Sequence, residues 1–68
     1  MKNNIKVERA KQNITQAELA LRVEVSRQTI NAMEAGKYVP STVLALKLAK
    51  IFKVEVSELF QLEASDWK

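Results

Sequence analysis

The chain contains no cysteine and no histidine among its 68 residues. Their absence excludes disulfide bonds and the commonest zinc ligands, and it leaves neither a thiol nor an imidazole for nucleophilic or acid–base chemistry. A glycine-rich phosphate loop is also excluded, because the chain has one glycine, Gly36, and one proline, Pro40. These absences argue against an enzyme, and we expect no metal and no cofactor.

Long apolar runs are missing as well. No run approaches the roughly 20 residues that a membrane-spanning helix needs, and the first residues, MKNNIKVERA, contain no hydrophobic segment of an export signal. We therefore expect a cytoplasmic protein, with which the lack of cysteine agrees. A chain of 68 residues has room for one small domain, residues 1–68, whose core alone is marginal. Good helix packing or oligomerisation must supply the remaining stability.

Positive charge exceeds negative charge, and the excess is unevenly placed. Residues 1–53 have a surplus of +6, whereas residues 54–68 have a deficit of −3. A basic body of this kind suits a polyanionic partner such as a nucleic acid. Scattered charge that only solvates the surface would give the same composition, so the charge by itself leaves both interpretations open.

Capping signals and apolar periodicity predict a series of short helices. The first is expected from about Lys6 to Gln12, with Val7, Ala10 and Ile14 on its apolar side. The stretch TQAE then places a hydroxyl and a carboxylate three residues apart, which is the capping-box pattern of a helix start. This second helix is expected over roughly Gln16 to Val23.

A third helix is predicted to begin directly after Ser26, whose hydroxyl can cap the amides of the first turn. Ile30 and Met33 mark its buried side, and Gly36 supplies the left-handed residue that commonly ends a helix. Only two residues separate the second helix from the Ser26 cap, so the two helices must pack at a steep angle. This spacing predicts a helix–turn–helix over about residues 16–35, whose second helix, about 27–35, exposes its polar start.

Two further helices and two short strands are predicted in the rest of the chain. After a cap at Ser41, the stretch TVLALKLAKIFK carries leucines at helical spacing, and SELF at Ser57–Phe60 forms a short fifth helix. The terminal stretches NNIKV and FQLEA alternate as strands do. The predicted fold is all-α with five helices and, as an open alternative, a small two-stranded antiparallel ribbon formed by the two termini.

Three motifs in TQAELALRVEVSRQTINAMEAGKYVP are specific in combination: T-Q-x-E-L-A, S-x-x-T-I and E-x-G-x-x-x-P. The stretch resembles the lambda-repressor-like, Cro/cI-type (XRE) helix–turn–helix family of DNA-binding regulators, and the resemblance covers about residues 5–60. The length and the NNIKV start are most similar to the short dimeric members of that family. The resemblance implies a transcriptional regulator, expected to be a repressor, that binds a palindromic double-stranded DNA operator as a homodimer through the major groove, with no small-molecule effector evident.

The resemblance also assigns roles to residues, and the side chains suit those roles. The residues expected to contact bases from the third helix are Arg27, Gln28, Thr29 and Asn31. The residues expected to contact the DNA backbone are Gln16, Ser26, Lys37, Tyr38 and Ser41. Gln16 is further expected to brace Gln28. Glu34 is expected either to be structural or to orient a neighbouring residue, because phosphates repel a carboxylate.

Several apolar residues exceed what one small core can bury, which favours a dimer. The interface is predicted at Ile51, Val54, Phe60 and Leu62. The alternative function is an antitoxin-like or protein-interaction module with the same fold, for which the acidic tail and Trp67 could supply the contact.

Two interpretations concern single positions. The basic residues of the first helix, including Arg9, are interpreted as surface charge. Glu24 stands at the turn where many relatives have glycine. A left-handed conformation there would cost a residue with a side chain about 1–2 kcal/mol.

Overall fold

The computed structural model describes all residues from 1 to 68, and five helices account for most of them. The helices are α1 (Ile5–Gln12), α2 (Gln16–Val23), α3 (Arg27–Glu34), α4 (Thr42–Phe52) and α5 (Val56–Leu59). Two strands, β1 (Lys2–Asn3) and β2 (Phe60–Gln61), form an antiparallel pair, and a 3₁₀ turn spans Ala64–Trp67. The predicted fold class, including the terminal ribbon, is confirmed. None of the helices has both the length and the apolar character needed to cross a lipid bilayer.

Helix α2 begins at the predicted capping box. The Thr15 hydroxyl accepts a hydrogen bond from the backbone amide of Glu18 at 3.0 Å, and the Glu18 carboxylate accepts one from the amide of Thr15 at 3.1 Å. Each bond satisfies an amide that the helix itself leaves without a partner. The start of α2 is therefore fixed by two side chains of its own sequence.

Helix α3 also begins and ends where its sequence predicts. The Ser26 hydroxyl accepts a hydrogen bond from the amide of Thr29 at 3.1 Å. At the other end Gly36 has φ +75°, and the amides of Gly36 and Lys37 donate to the carbonyls of Met33 and Ala32 at 3.0 and 2.9 Å. This is a Schellman ending, in which a left-handed glycine satisfies the last helical carbonyls.

The predicted apolar side of the first helix is only partly confirmed, because Ile14 is buried but Val7 and Ala10 are not. Val7 is 51% exposed and Ala10 is exposed, whereas Ile5, at the first position of α1, is completely buried. The reason is the terminal ribbon, in which Asn4 donates its amide to the carbonyl of Leu59 at 2.9 Å. That bond turns the chain so that the start of α1, and not its middle, packs on the core.

The ribbon is shorter than the sequence suggested, and it involves only the first residues of the two predicted stretches, together with Lys2. Lys2 pairs with Gln61 and Asn3 pairs with Phe60, so the alternating residues from Ile5 onward belong to α1 instead. The fifth helix lies one residue earlier than expected, at Val56–Leu59. It ends where Phe60 becomes extended, with φ −126° and ψ 134°.

The core lies between the helices and contains no polar side chain. Its members are Ile5, Ile14, Leu19, Ala20, Val23, Ile30, Met33, Leu44, Leu48, Ala49, Phe52 and Leu59. Helices α2 and α3 pack against one another, and α4 packs against α2. The core therefore holds the two helices of the helix–turn–helix at a fixed angle.

Three residues other than glycine have left-handed backbone conformations, each directly after a helix: Asn13, Glu24 and Lys53, with φ 54°, 60° and 57°. The expectation that the Glu24 turn is left-handed is confirmed. It lets the amide of Val25 reach the carbonyl of Ala20 at 3.0 Å. The chain therefore makes the sharp turn between α2 and α3 with a residue that is strained in that conformation.

Replacing Glu24 with glycine should relieve this strain. We expect Glu24→Gly to be more stable than Glu24→Gln by roughly 0.5–1 kcal/mol in urea unfolding, because glycine adopts the left-handed region freely but loses more entropy on folding. The glutamine variant is the matched control, since it removes the same charge and keeps a side chain at a positive φ. Equal stabilities for the two variants would show that the turn is not strained.

Candidate nucleic-acid interface

The outer face of α3 carries most of the residues predicted to contact bases. Ile30 and Met33 are buried against the core, so the opposite face of the helix points to solvent. Arg27, Gln28 and Asn31 are exposed on it, and Thr29 is half-buried at its edge. The predicted residues therefore lie together on the first two turns of one helix.

The start of α3 is well ordered by its own hydroxyls. The Ser26 hydroxyl lies 2.9 Å from the hydroxyl of Thr29, in addition to capping the Thr29 amide. The side chains of Ser26 and Thr29 thus fix one another, and the first turn of the helix keeps backbone amides that point outward without an intrahelical partner. Free amides at a positive helix end favour an anion such as phosphate.

An ion pair joins the first and third helices behind this face. Arg9 in α1 donates from Nε and from its terminal nitrogen Nη2 to the two carboxylate oxygens of Glu34 in α3, at 2.7 and 3.1 Å. The side chains are 16% and 7% exposed, and Arg9 also donates to the carbonyl of Ile14 at 3.1 Å. The interpretation of Arg9 as surface charge is therefore wrong.

Sequence reasoning missed this pair because its members are 25 residues apart on different helices. No helical or strand periodicity connects positions at that distance. A carboxylate at the end of α3, where phosphates would repel it, was the available signal, and it correctly suggested a structural role for Glu34.

Gln16, the first residue of α2, is bonded to the same carboxylate. Its Nε2 donates to Glu34 at 3.1 Å and to the side-chain oxygen of Asn31 at 3.5 Å. The expected brace between Gln16 and Gln28 is thus replaced by contacts with Asn31 and Glu34. The three helices α1, α2 and α3 are connected through one polar cluster, consisting of Arg9, Gln16, Asn31 and Glu34, which we call the Arg9–Asn31 cluster.

The cluster sets the charge of Glu34. Burial raises the pKa of the Glu34 carboxyl, but the hydrogen bonds from Arg9 and Gln16, together with the positive charges of Arg9 and Lys6, outweigh burial. The pKa therefore lies below its ordinary value of 4.5. The hydrogen bond to Glu34 correspondingly raises the pKa of the Arg9 guanidinium.

Polar residues of three helices border one shallow groove beside the start of α3. The groove has a volume of about 550 Å³, and Arg9, Thr15, Gln16 and Arg27 are among the residues that line it. Arg27 thus faces the beginning of α2 across an open depression. The structure brings Gln16 and Arg27, predicted from separate helices, to the same place.

The remaining predicted backbone contacts lie in the segment between α3 and α4. Lys37 and Ser41 are exposed, and Tyr38 is 45% exposed. The Ser41 hydroxyl accepts a hydrogen bond from the amide of Leu44 at 3.2 Å, so it caps α4 as predicted. Tyr38 and Ser41 both line a second groove, of about 340 Å³, next to the turn that joins α2 to α3.

The residues predicted for a dimer interface differ in exposure. Ile51, Val54 and Phe60 are half-buried and pack against the core, while Leu62 is 61% exposed. Trp67 is 77% exposed, so it does not dock on its own domain.

A third groove, of about 300 Å³, was not predicted and is mostly apolar. We call it the apolar groove. Its lining is Met1, Val39, Pro40, Thr42, Ala45, Leu46, Val56 and Phe60. Leu46 is 56% exposed there, whereas Leu44 and Leu48 of the same helix are buried.

This geometry defines a helix–turn–helix DNA-binding domain, and comparison with known proteins agrees. The helix-turn-helix family model matches residues 5–59 of the chain. An uncharacterized HTH-type transcriptional regulator of Methanocaldococcus jannaschii is 52% identical over 63 residues, which are 93% of this chain and 96% of the relative.

Two further relatives come from distant organisms. An uncharacterized HTH-type transcriptional regulator of Archaeoglobus fulgidus is 50% identical over 60 residues, 88% of this chain and 84% of the relative. One of Bacillus subtilis is 46% identical over 63 residues, 93% of this chain and 96% of the relative. The chain belongs to the XRE family of helix–turn–helix transcriptional regulators. Because this is a family of regulators and not of enzymes, the expectation that the chain is not an enzyme is confirmed.

Acid should weaken the fold through Glu34. A carboxyl whose pKa is lowered by folding stabilises the folded state above its unfolded pKa, and that contribution is lost as the pH falls through the folded pKa. We therefore expect the unfolding free energy to fall below about pH 4.5. Glu34→Gln should cost roughly 1–3 kcal/mol at pH 7, and the variant should lose less stability on acidification.

Urea unfolding at pH 7 and in the acid range measures both effects. The pKa of Asp66 is also lowered, first by the hydrogen bond from the amide of Glu63, so some acid loss should remain in the variant. Glu8→Gln is the matched control, because it removes an ion pair with exposed Lys11 and should change stability by less than about 1 kcal/mol. Identical acid profiles for the two variants would contradict the role of Glu34.

Proposed function

We propose that the chain is a sequence-specific repressor that reads the major groove of double-stranded DNA with α3 and binds a palindromic operator as a homodimer. One observation carries the proposal. The apolar side of α3 is buried, while its polar first turns, with Arg27, Gln28 and Asn31, are left open to solvent. The major groove is wide enough to admit one helix in this orientation.

The exposed side chains suit the chemistry of base edges. Arg27 has the geometry to donate two hydrogen bonds to O6 and N7 of guanine, and Gln28 can both donate to and accept from adenine. The Thr29 methyl group is suited to contact with the methyl group of thymine. These side chains are held on a helix whose start is fixed by Ser26, so they approach the bases from a rigid support.

Backbone phosphates would be held on either side of the reading helix. The 550 Å³ groove places Gln16 and Arg27 around the positive end of α2. Ser26 is exposed at the cap of α3. The segment that follows α3 exposes Lys37, Tyr38 and Ser41. We assign phosphate contacts to Ser26, Lys37, Tyr38 and Ser41, and to Gln16 through its backbone amide at the start of α2. Such contacts position a protein on DNA without reading sequence.

A homodimer would make recognition by α3 more selective. One recognition helix reads about four to five base pairs, whereas a two-fold pair reads two half-sites one helical turn apart. The apolar groove supports the proposal, because Leu46, Val39 and Val56 are exposed there beside half-buried Phe60. We place the interface on this groove, extended towards Leu62, with Ile51 and Val54 behind it.

Repression by occupancy requires only DNA binding, since a dimer bound on a promoter excludes polymerase. A regulator of this kind works in the cytoplasm, where bacterial and archaeal DNA is found. The second candidate is a protein-interaction module of the antitoxin type. It is favoured by Trp67, which is 77% exposed within an acidic tail.

Selection of bound duplexes from a random DNA library tests the proposal directly. We expect a palindromic sequence to be enriched, and its affinity to fall steeply with salt because phosphate contacts release counterions. Enrichment of no sequence, together with affinity unrelated to salt, would contradict the proposal. If the chain does not bind DNA specifically but co-purifies with a second protein, that result would favour the interaction module.

Base readout and phosphate contact predict different behaviour for two variants. Gln28→Ala should relax the preference at one base pair of each half-site by about 1–3 kcal/mol. Lys37→Ala should weaken binding to selected and random duplexes alike and reduce the slope of log affinity against log salt by about one unit. Equal losses on both kinds of DNA for both variants would show that Gln28 does not read a base.

The position of the dimer interface is tested by two lysine substitutions in α4. Leu46→Lys places a charge in the apolar groove and should shift the chain from dimer to monomer in sedimentation equilibrium by at least tenfold in dissociation constant, because an unpaired charge is costly to bury. Val43→Lys is the matched control, since Val43 is 64% exposed on the same helix and lines a different groove. A dimer unaffected by Leu46→Lys would place the interface elsewhere.

A further inference from the structure

The hydrogen bonds of the Arg9–Asn31 cluster have a fixed direction. A guanidinium only donates hydrogen bonds and an ionised carboxylate only accepts them. Arg9 therefore donates to Glu34, and the end of the Gln16 amide that lies 3.1 Å from Glu34 must be its NH₂ group. The orientation of Gln16 is thus determined by the chemistry of its partner and not by its own preference.

The same argument extends from Gln16 to Asn31. The NH₂ group of Gln16 has two hydrogens, of which one goes to Glu34 and the other to the side-chain oxygen of Asn31 at 3.5 Å. An NH₂ group cannot accept, so the end of the Asn31 amide that faces it must be the oxygen. The NH₂ group of Asn31 is then the end of the amide turned away from Gln16, and Asn31 is exposed on α3.

We infer that Glu34, acting through Gln16, is a positioning residue that holds Asn31 with its NH₂ group towards DNA, so that Asn31 selects a base presenting a hydrogen-bond acceptor. Suitable acceptors in the major groove are O6 and N7 of guanine, N7 of adenine and O4 of thymine. An asparagine free to rotate also accepts from the amino group of adenine or cytosine. With its oxygen turned towards Gln16, Asn31 presents only its NH₂ group to DNA and gives up that second mode.

This inference rests on the proposed function, because it concerns how α3 reads a duplex. It changes the expected readout at one position. An asparagine in this family context could pair with adenine through both N6 and N7, whereas Asn31 held by the cluster depends on the acceptor alone. Specificity at this position would then be set by Arg9 and Glu34, neither of which touches the base.

Base analogues separate the acceptor from the donor. The base pair that Asn31 governs is first located as the position whose preference is lost in Asn31→Ala. If the base that Asn31 contacts in this pair is a purine, replacing it with its 7-deaza analogue, which lacks N7, should weaken binding about tenfold. Replacing adenine with purine, which lacks the amino group, should change binding by less than about twofold. If thymine is selected, removal of O4 is the equivalent test.

Two variants test whether the cluster sets this polarity. In Glu34→Gln an amide can present either end to Gln16, and in Gln16→Leu the link to Asn31 is absent while the Arg9–Glu34 pair remains. Both should lower the discrimination at the Asn31 position about tenfold and leave the preference at the Gln28 position unchanged. Glu8→Gln, which removes a carboxylate of α1 that does not touch the cluster, should keep both preferences.

The outcomes distinguish this inference from the function on which it rests. Thermal melting confirms that each variant is folded, and Gln16→Leu keeps the test open if Glu34→Gln unfolds. If the unaltered chain enriches no sequence, the proposed function fails. If it enriches a sequence, two results would show that the cluster does not orient Asn31. In the first, removing the amino group of adenine weakens binding as much as removing N7; in the second, both variants keep the original preference.

Discussion

The ion pair between Arg9 and Glu34 is the interaction on which the geometry of the reading face depends. It joins α1 to the end of α3 with two hydrogen bonds of 2.7 and 3.1 Å, and Gln16 connects the start of α2 to the same carboxylate. The apolar core fixes the helices at their inner sides, where no polar side chain is buried. The ion pair fixes them at the outer edge, next to the residues that face solvent.

A partly buried ion pair is weak evidence for stability, because desolvation of both charges offsets much of their attraction. Its importance here is that it fixes the direction of the neighbouring hydrogen bonds. Donor-only Arg9 and acceptor-only Glu34 leave one arrangement for the neutral amides next to them. A short helix with polar side chains could otherwise present several hydrogen-bonding patterns to DNA. The fixed charge of Glu34 restricts the pattern of donors and acceptors on the exposed face of α3.

The sequence predicted the helices best where side chains bond to the backbone nearby. Thr15, Ser26 and Ser41 cap their helices as expected, and Gly36 ends α3. These signals involve residues three or four positions apart, so the local sequence is sufficient to predict them. The left-handed turn at Glu24 was predicted from a different signal, which was the resemblance to relatives that have glycine there.

Features that depend on distant residues were not predictable in this way. Ile5 was assigned to a strand and Val7 to the core, because the pairing of Asn3 with Phe60 decides where α1 starts and joins opposite ends of the chain. Arg9 was assigned to the surface because its partner is 25 residues away. The exposed face of α3 followed from its own periodicity, whereas the polar cluster behind it required the three-dimensional arrangement.

Amide chemical shifts of the isotope-labelled chain, followed as a selected duplex is added, test the central claim that the open start of α3 is the surface that meets DNA. The account predicts the largest changes on the first turn of α3 and at the starts of α2 and α4. Changes confined to the apolar groove and α5, with Arg27 and Gln28 unaffected, would contradict it.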